Sequence, residues 1–300
     1  MANIPPPLID QLERIEPSSN FTYEPPLVSS SSGATYYVKL GRESEVEQYV
    51  GEVESLKAIN AAAPGIAPRV MASGVTDGED VAQPGLPYFI SEYKHMSGLT
   101  DSSATKLGER LATELHRYES THGFGFHVPT FCGRTRLKNG WFDTWEACYS
   151  SMIGDLLHGL RDKGSAYSDL CEKGENVREI VIPNLLRHLS VKPVLMHGDL
   201  WSGNIGTETF TAEPVIFDPS SFYGHNEADL AIARIFGGIP RSFFTTYHQF
   251  LPKTEPVDQY ELRVDLYELF HYLNHALLFG GSGYSSSAIQ KMDRLLKCSI

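Results

Sequence analysis

The run Val194-Leu195-Met196-His197-Gly198-Asp199-Leu200-Trp201-Ser202-Gly203-Asn204 constrains this chain more than any other. An apolar triplet delivers an Asp, and an Asn follows five residues later. That is the spacing of a phosphotransferase catalytic loop, in which the Asp accepts a hydroxyl proton and the Asn carbonyl holds Mg²⁺ against nucleotide phosphates. Val215-Ile216-Phe217-Asp218-Pro219 follows, an apolar strand ending in an acid where a second metal-holding carboxylate belongs. Asp, Gly and Asn are also ordinary turn residues. The strand-Asp downstream and a strand-Lys upstream outweigh that plainer reading.

The upstream element is Tyr37-Val38-Lys39, a β-branched and aromatic strand ending in a lysine suited to the α- and β-phosphates. A lysine at a strand end is usually a solvated edge charge. Here the next helix, Glu45 to Asn60, carries Glu52 on the same face as Tyr49, Val53, Leu56 and Ile59. An unpaired carboxylate there costs several kcal/mol, and a facing Lys39 resolves the conflict. Glu54 competes, but helical phase turns it toward solvent. Ser29 to Gly33 is the expected phosphate-covering turn, with Gly33 its only glycine. Glu92-Tyr93-Lys94 ends the last early strand and is expected to meet the adenine edge through its backbone.

Predicted strands over Thr35–Leu40, Arg69–Gly74 and Pro87–Tyr93 fill the first third, behind a short helix over Leu8–Ile15. Helices over Lys106–Tyr118, Trp141–Leu160, Asn176–Leu189 and Val257–Phe279 fill the remainder. This order predicts an α+β, two-lobed, protein-kinase-like fold, with a β-rich N-lobe over residues 1–95 and a helical C-lobe over 96–300. Three hundred residues can bury a substantial core. The net charge of −12 and the absence of a basic run argue against nucleic-acid or anionic-membrane binding. No run approaches the ~18 apolar residues of a membrane span, and no apolar leader precedes Ile15. Cys132, Cys148, Cys171 and Cys298 are scattered, which suits reduced thiols in a cytosolic protein.

Beyond spacing, the run from His197 to Asn204 resembles the signature of the fructosamine-3-kinase/ketosamine-3-kinase family, relatives of aminoglycoside and choline kinases. Tyr37-Val38-Lys39, Gly51-Glu52-Val53-Glu54-Ser55-Leu56, Phe124-Gly125-Phe126-His127, Asn139-Gly140-Trp141, Asp143-Thr144-Trp145, Asp218 to His225, Phe236-Gly237-Gly238, Leu273-Asn274-His275 and Phe279-Gly280-Gly281 extend the likeness over roughly residues 34 to 297. The resemblance implies an aminoglycoside-phosphotransferase type of fold. It also implies ATP and Mg²⁺ as cofactors, and as substrates ketoamines on the lysines of glycated proteins, phosphorylated at the sugar 3-hydroxyl so that the adduct falls away. It implies that Trp201 packs on the sugar. Asn274 and His275 are expected at the acceptor pocket, while Asp229 and His197 are expected to hold the loop rather than touch ligand.

The chain departs from the family pattern in three places. The helix after Asp143-Thr144-Trp145 lacks the usual Arg-Leu pair, the loop near Gly33 is glycine-poor, and the loop cysteine of some members is missing. Disulfide-linked dimerisation through that loop is therefore not expected. The rival readings are a small-molecule kinase acting on an aminoglycoside, choline or a free sugar, and a pseudokinase serving as a nucleotide-gated binding module.

Overall fold

The computed structural model describes residues 4–77 and 84–298. The outermost residues of both expected lobes therefore lie outside it. Helix α1 (Pro6–Ile15) precedes strands β1 (Phe21–Glu24), β2 (Leu27–Ser30) and β3 (Thr35–Leu40). Then come helix α2 (Val46–Ala62), β4 (Val70–Val75) and β5 (Pro87–Glu92). The strands form one antiparallel sheet in the order β1-β2-β3-β5-β4, with Lys39 opposite Phe89 and Tyr37 opposite Ser91. Strand alternation decides which side chain faces what. Tyr36, Val38, Tyr88 and Ile90 pack with Leu8 and Leu12 of α1. The intervening residues, Tyr37, Lys39 and Phe89, face α2, whose Tyr49, Val53, Leu56 and Ile59 are buried. The sheet is thus covered on both faces, and Lys39 is aimed at α2.

The remainder is mostly helical. A short strand β6 (Met96–Ser97) leads to helix α3 (Asp101–Thr113), which Thr100 caps through its side chain and a reciprocal bond with Ser103. Strands β7 (Phe124–Phe126), β8 (Thr130–Cys132), β9 (Thr135–Leu137) and β10 (Gly140–Phe142) form a central insert ahead of helix α4 (Trp145–Asp162). Helices α5 (Ser168–Asn176) and α6 (Ile182–Leu186) follow, joined by a π turn over Val177–Val181. Strands β11 (Val194–Met196), β12 (Ile205–Glu208), β13 (Pro214–Ile216) and β14 (Phe222–Gly224) frame the His197–Asn204 loop. Helices α7 (Asn226–Ile235), α8 (Arg241–Phe250), α9 (Tyr260–Phe279) and α10 (Ser282–Cys298) complete the fold. Helix α9 is buried on every face, from Tyr260, Val264 and Tyr267 to Leu273 and Ala276, so it is the central post of this region.

The sequence reading differs from the structure in traceable places. The helix expected over Asn176–Leu189 instead starts earlier, as α5, and carries a π turn over Val177–Val181 just ahead of Pro183, which has no N–H for the regular ladder. The helix expected from Trp141 begins at Trp145, since Gly140–Phe142 pairs with Phe124–Phe126 as a strand. Strands β1 and β2 and helices α8 and α10 were not expected at all. Of the four cysteines, three are buried, none is paired, and no described helix is long and apolar enough to cross a membrane.

Candidate active site

The strand β11 points the His197–Asn204 loop between the sheet and the helices, and a buried carboxylate fixes it there. Asp229 of α7 accepts the backbone N–H groups of His197 and Gly198, both at 2.8 Å, and a ring nitrogen of His116 at 3.1 Å. Burial would raise its pKa, but His116, His197 and the backbone donors outweigh burial and hold it below the ordinary value. His197 accepts the Asp199 N–H at Nδ1, 3.2 Å away, so its Nε2 must donate to the Phe217 carbonyl at 3.0 Å. Burial pushes its pKa down, which keeps the ring neutral. One imidazole therefore ties the loop of Asp199 to the strand end of Asp218, the structural part expected for His197 and Asp229. Gly198 has φ +84°, and a Cβ there would lie 2.0 Å from the Ser220 carbonyl oxygen, so only glycine fits.

A second buried pair supports α7 from below. Arg263 donates to both Glu227 carboxylate oxygens, at 2.7 and 3.1 Å, and to the carbonyls of Thr254 and Pro256. Four of the five guanidinium N–H groups are used, the kind of satisfaction under which a buried ion pair is tolerated.

Asp199, Asn204, Asp218, Lys39, Glu52 and Trp201 line one cavity of about 230 Å³, together with Gln48, Phe131, Gly133 and Pro219. The Asn204 amide donates to the Asp199 carbonyl at 2.9 Å and to its carboxylate at 3.2 Å, which leaves its own Oδ1 free. Burial pushes the Asp199 carboxyl up to about 7, against the Asn204 hydrogen bond and with help from Asp218 and Asp229. Such a carboxyl is poised to exchange a proton near neutral pH. Asp218 sits at φ +52°, a left-handed conformation uncommon outside glycine, and its side chain is 61% exposed. Lys39 donates to both Glu52 oxygens, at 2.9 and 2.7 Å, and lies 3.9 Å from Asp218. Burial would push the Lys39 ammonium down, but the Glu52 and Asp218 carboxylates hold it above its ordinary value, so it stays charged. Burial raises the Glu52 carboxyl as well, against the pull of the Lys39 ammonium. Glu54 instead bonds Lys57 and His127 outside the cavity.

A second cavity of about 210 Å³ shares Glu52 and Asp218 and runs under the sheet past Tyr37, Leu56, Phe89, Glu92, Tyr93 and Lys94. Its apolar walls suit a flat heterocycle. The backbone there is less available than expected: the Glu92 N–H is spent on Arg69 and the Tyr93 N–H on Thr35, leaving carbonyls and the Lys94 N–H. The Glu92 side chain is also engaged, with Lys94 and the Arg69 N–H.

Three expected residues fall elsewhere. Gly33 lies in the β2–β3 turn, beside the Thr35 carbonyl that bonds Tyr93, and lines neither cavity. The turn beside Lys39 is instead Glu24-Pro25-Pro26-Leu27, where Pro26 accepts the Val38 N–H. Prolines have no N–H to offer a phosphate. Asn274 is fully buried and donates to the carbonyl and sulfur of Cys132, so it does not reach the acceptor side. His275 does not line the Asp199 cavity either but lies on its Trp201 side: its Nδ1 donates to the His271 carbonyl at 2.7 Å, and burial keeps it neutral. Its ring lies 5.1 Å from Phe236, which in turn lies 5.8 Å from Trp201. Trp201 is 37% exposed and Phe236 40%, an open aromatic shelf beside Asp199. Gly203 makes room for the indole, because a Cβ there would lie 2.2 Å from it. The sequence reading assigns Phe236, His116 and Gln48 no part in the site; of these only Phe236 belongs to a motif that could flag it.

Carboxylates and an amide oxygen are hard donors that suit Mg²⁺. Among the described residues no cluster of three His, Cys, Asp or Glu side chains could cage a metal. Mg²⁺ does not need one, since it usually keeps waters and substrate phosphates alongside one or two protein oxygens. Asn204 Oδ1 and Asp218 therefore fit.

The fructosamine kinase family model matches residues 23–298. Ketosamine-3-kinase of Mus musculus is 35% identical over 286 residues, covering 87% of this chain and 88% of that protein. The chloroplastic protein-ribulosamine 3-kinase of Arabidopsis thaliana is 40% identical over 217 residues, 71% of this chain and 63% of that protein. Among solved structures, a candidate fructosamine-3-kinase from Haemophilus somnus 129PT superposes with a TM-score of 0.77 at 20% identity, covering 96% of each chain. A thermostable mutant of aminoglycoside phosphotransferase APH(4)-Ia superposes at 0.58 and 16% identity, over 96% of this chain and 98% of that one. These likenesses establish the protein-kinase-like fold of the aminoglycoside-phosphotransferase type. With a loop bound from beneath by Asp229, a lysine paired to a helix glutamate and a family match over most of its length, the chain belongs to the fructosamine kinase family.

Proposed function

We propose that this protein transfers the γ-phosphoryl group of ATP to the 3-hydroxyl of protein-bound ribulosamine or fructosamine, which destabilises the adduct and frees the lysine. The observation that carries the reading is Asp199, a carboxyl pushed up to about 7, in one cavity with Lys39, Asn204, Asp218 and Trp201. The relatives named ketosamine-3-kinase and protein-ribulosamine 3-kinase supply the substrate class. An aminoglycoside phosphotransferase of the same fold was solved with AMP-PNP, which favours ATP as donor.

In this reading the β-rich region to residue 95 binds the nucleotide, and residues 96–300 supply the catalytic loop and the acceptor site. The adenine enters the cavity under Phe89 and meets the backbone around Glu92, Tyr93 and Lys94. Lys39, positioned by Glu52, meets the phosphates as a fixed positive charge. With a proline-rich turn overhead in place of a glycine loop, this lysine carries more of the phosphate contact than loop N–H groups do. Asn204 and Asp218 hold Mg²⁺, which when bound neutralises charge on the phosphates. The sugar lies on Trp201 and Phe236, with its C–H face against the rings. His275 Nε2 is free to accept a sugar hydroxyl. Asp199 orients the 3-hydroxyl and takes its proton. Positioning and charge do most of the work in such a reaction. We place the protein in the cytosol, where its four unpaired cysteines stay reduced.

The deciding experiment is ³¹P detection of product from ribulosyl-lysine, fructosyl-lysine, choline and kanamycin with Mg·ATP. Turnover of the two ketoamines is expected. Turnover of choline or kanamycin alone would replace the reading with a small-molecule kinase. No turnover with retained ATP binding would make the protein a nucleotide-gated binding module.

A further inference from the structure

A further sizeable cavity lies outside the cleft. It has a volume of about 440 Å³ and lies on the other side of the β8–β9 hairpin, against α4 and the end of α9. Its floor is apolar, built from Leu137, Phe142, Leu156 and Leu277. Its rim carries Arg134, Arg136, Lys138 and Lys163 against a single carboxylate, Asp155. This is a concentration of positive charge on a chain of net charge −12.

Two of these cations are already engaged. Arg136 donates to Glu47 at 2.6 and 2.8 Å, and Lys138 bonds Asp155. Arg134 and Lys163 are exposed and have no carboxylate within ion-pair distance among the described residues. A solvated surface lysine needs no explanation. Two unpaired cations over an apolar basin are a different arrangement, since they leave charge and apolar area for one ligand to satisfy together.

The basin adjoins the Asp199 cavity. Phe131 and Gly133 line the cavity of Asp199, and the next residue, Arg134, lines the basic one. A Cβ on Gly133 would lie 3.0 Å from Leu278, which belongs to the basic wall. A single turn of backbone separates the two spaces.

We propose that this basin is a docking subsite for the polypeptide that carries the ketoamine, selecting an acidic segment with an apolar side chain beside the modified lysine. The inference rests on the ketoamine kinase reading, because only a protein-bound acceptor brings a chain to this rim. Carboxylates of the segment pair with Arg134 and Lys163, and an apolar residue fills the basin over Leu137 and Leu277. The ketoamine-bearing lysine then passes over the Gly133 turn toward Asp199. An extended residue spans ~3.3–3.6 Å, so a few residues reach from one space to the other.

The test uses three acceptors: free ketoamine-lysine, a peptide with that lysine beside Asp, Glu and Leu, and the same peptide with Asp and Glu replaced by Ser and Gln. The variant is Arg134→Glu with Lys163→Glu, which touches nothing in the cleft. The wild type is expected to show a KM about tenfold lower for the acidic peptide than for the neutral one, an advantage that shrinks at high salt. The double variant is expected to lose that advantage while keeping kcat and KM for free ketoamine-lysine. Equal KM for the two peptides in the wild type, or an advantage that survives in the variant, would overturn the proposal. A fluorescently labelled acidic peptide without the sugar provides a readout that does not depend on turnover. Its binding to wild type but not to the variant would support the docking site even if no ketoamine were phosphorylated, in which case the functional reading alone would fail. Tight binding of citrate with no binding of the peptide would assign the basin to a small anion and overturn the proposal.

Discussion

Asp199→Asn should make the protein more stable while removing its activity. In the folded chain burial pushes this carboxyl from 3.8 to about 7, a rise of roughly three units. At ~1.36 kcal/mol per unit the ceiling is ~4 kcal/mol of folding energy forgone when the group is ionised. Partial exposure and water entering the open cavity reduce the expected effect to ~1–2 kcal/mol. Because the folded pKa lies above the unfolded one, the contribution to stability is fully present below about pH 4, declines as pH rises, and is gone above about pH 7. Asparagine carries no such charge and still offers Asn204 an acceptor. Urea denaturation at pH 4, 5, 6 and 8 should therefore show the variant ahead by ~1–2 kcal/mol at pH 8, a lead that shrinks as the pH falls and is mostly gone near pH 4. Turnover should fall below about a tenth of wild type with ATP affinity nearly unchanged, since the lost base acts on the transition state. Wild-type kcat/KM should decline about tenfold per unit below pH ~7. A variant less stable than wild type at pH 8, or a difference independent of pH, would refute the argument that Asp199 is held ionised at a cost.

Trp201→Ala should raise KM for ribulosyl- or fructosyl-lysine by one to two decades, the equivalent of ~1–3 kcal/mol, with little change in melting temperature because the indole is 37% exposed. A large melting drop with unchanged KM would make it a core anchor. Asp218→Ala should weaken Mg·ATP far more than metal-free ATP in calorimetry, and equal losses would mean that the residue acts structurally. Asp229→Ala orphans the His197 and Gly198 N–H groups and removes the partner of His116, costing ~3 kcal/mol or more and lowering the melting temperature by roughly 6–12 °C. An unchanged melt would show that the catalytic loop does not depend on this buried carboxylate.

What the sequence revealed and what it hid have different physical origins. Lys39 and Glu52 were legible as a pair because a carboxylate on an apolar helix face is an energetic contradiction that one partner resolves. The spacing of Asp199, Asn204 and Asp218 was legible because loop chemistry fixes it locally. Gly33 misled because a serine-rich turn ending in glycine is a strong local signal for a bend but does not say which end of the sheet the bend occupies. The β1–β2 turn, marked by Pro25-Pro26, faces Lys39 instead. Asn274 sits one residue from His275 on the same helix, and only the 100° step between them sends one into the core and the other to the shelf. The His116–Asp229 contact joins residues 113 apart, beyond the reach of any local pattern. Strands of three or four residues, such as β1, β2 and β7, are too short for alternation to register.

Helix α2 is fastened on both sides. A Cβ on Gly51 would lie 2.4 Å from the Pro129 carbonyl oxygen, so the helix touches the central insert backbone to backbone. One turn later, Ser55 donates to the Gly51 carbonyl at 2.7 Å and accepts the Ser221 N–H at 3.1 Å, just beyond the Asp218 strand. A helix so held has no room to swing Glu52 away from Lys39. The consequence is that the Lys39–Glu52 pair is set by packing rather than by a separate movement of the helix. Under the proposed function, the lysine that meets the phosphates is aligned when the chain folds, with no later swing of α2 needed to bring Glu52 to it.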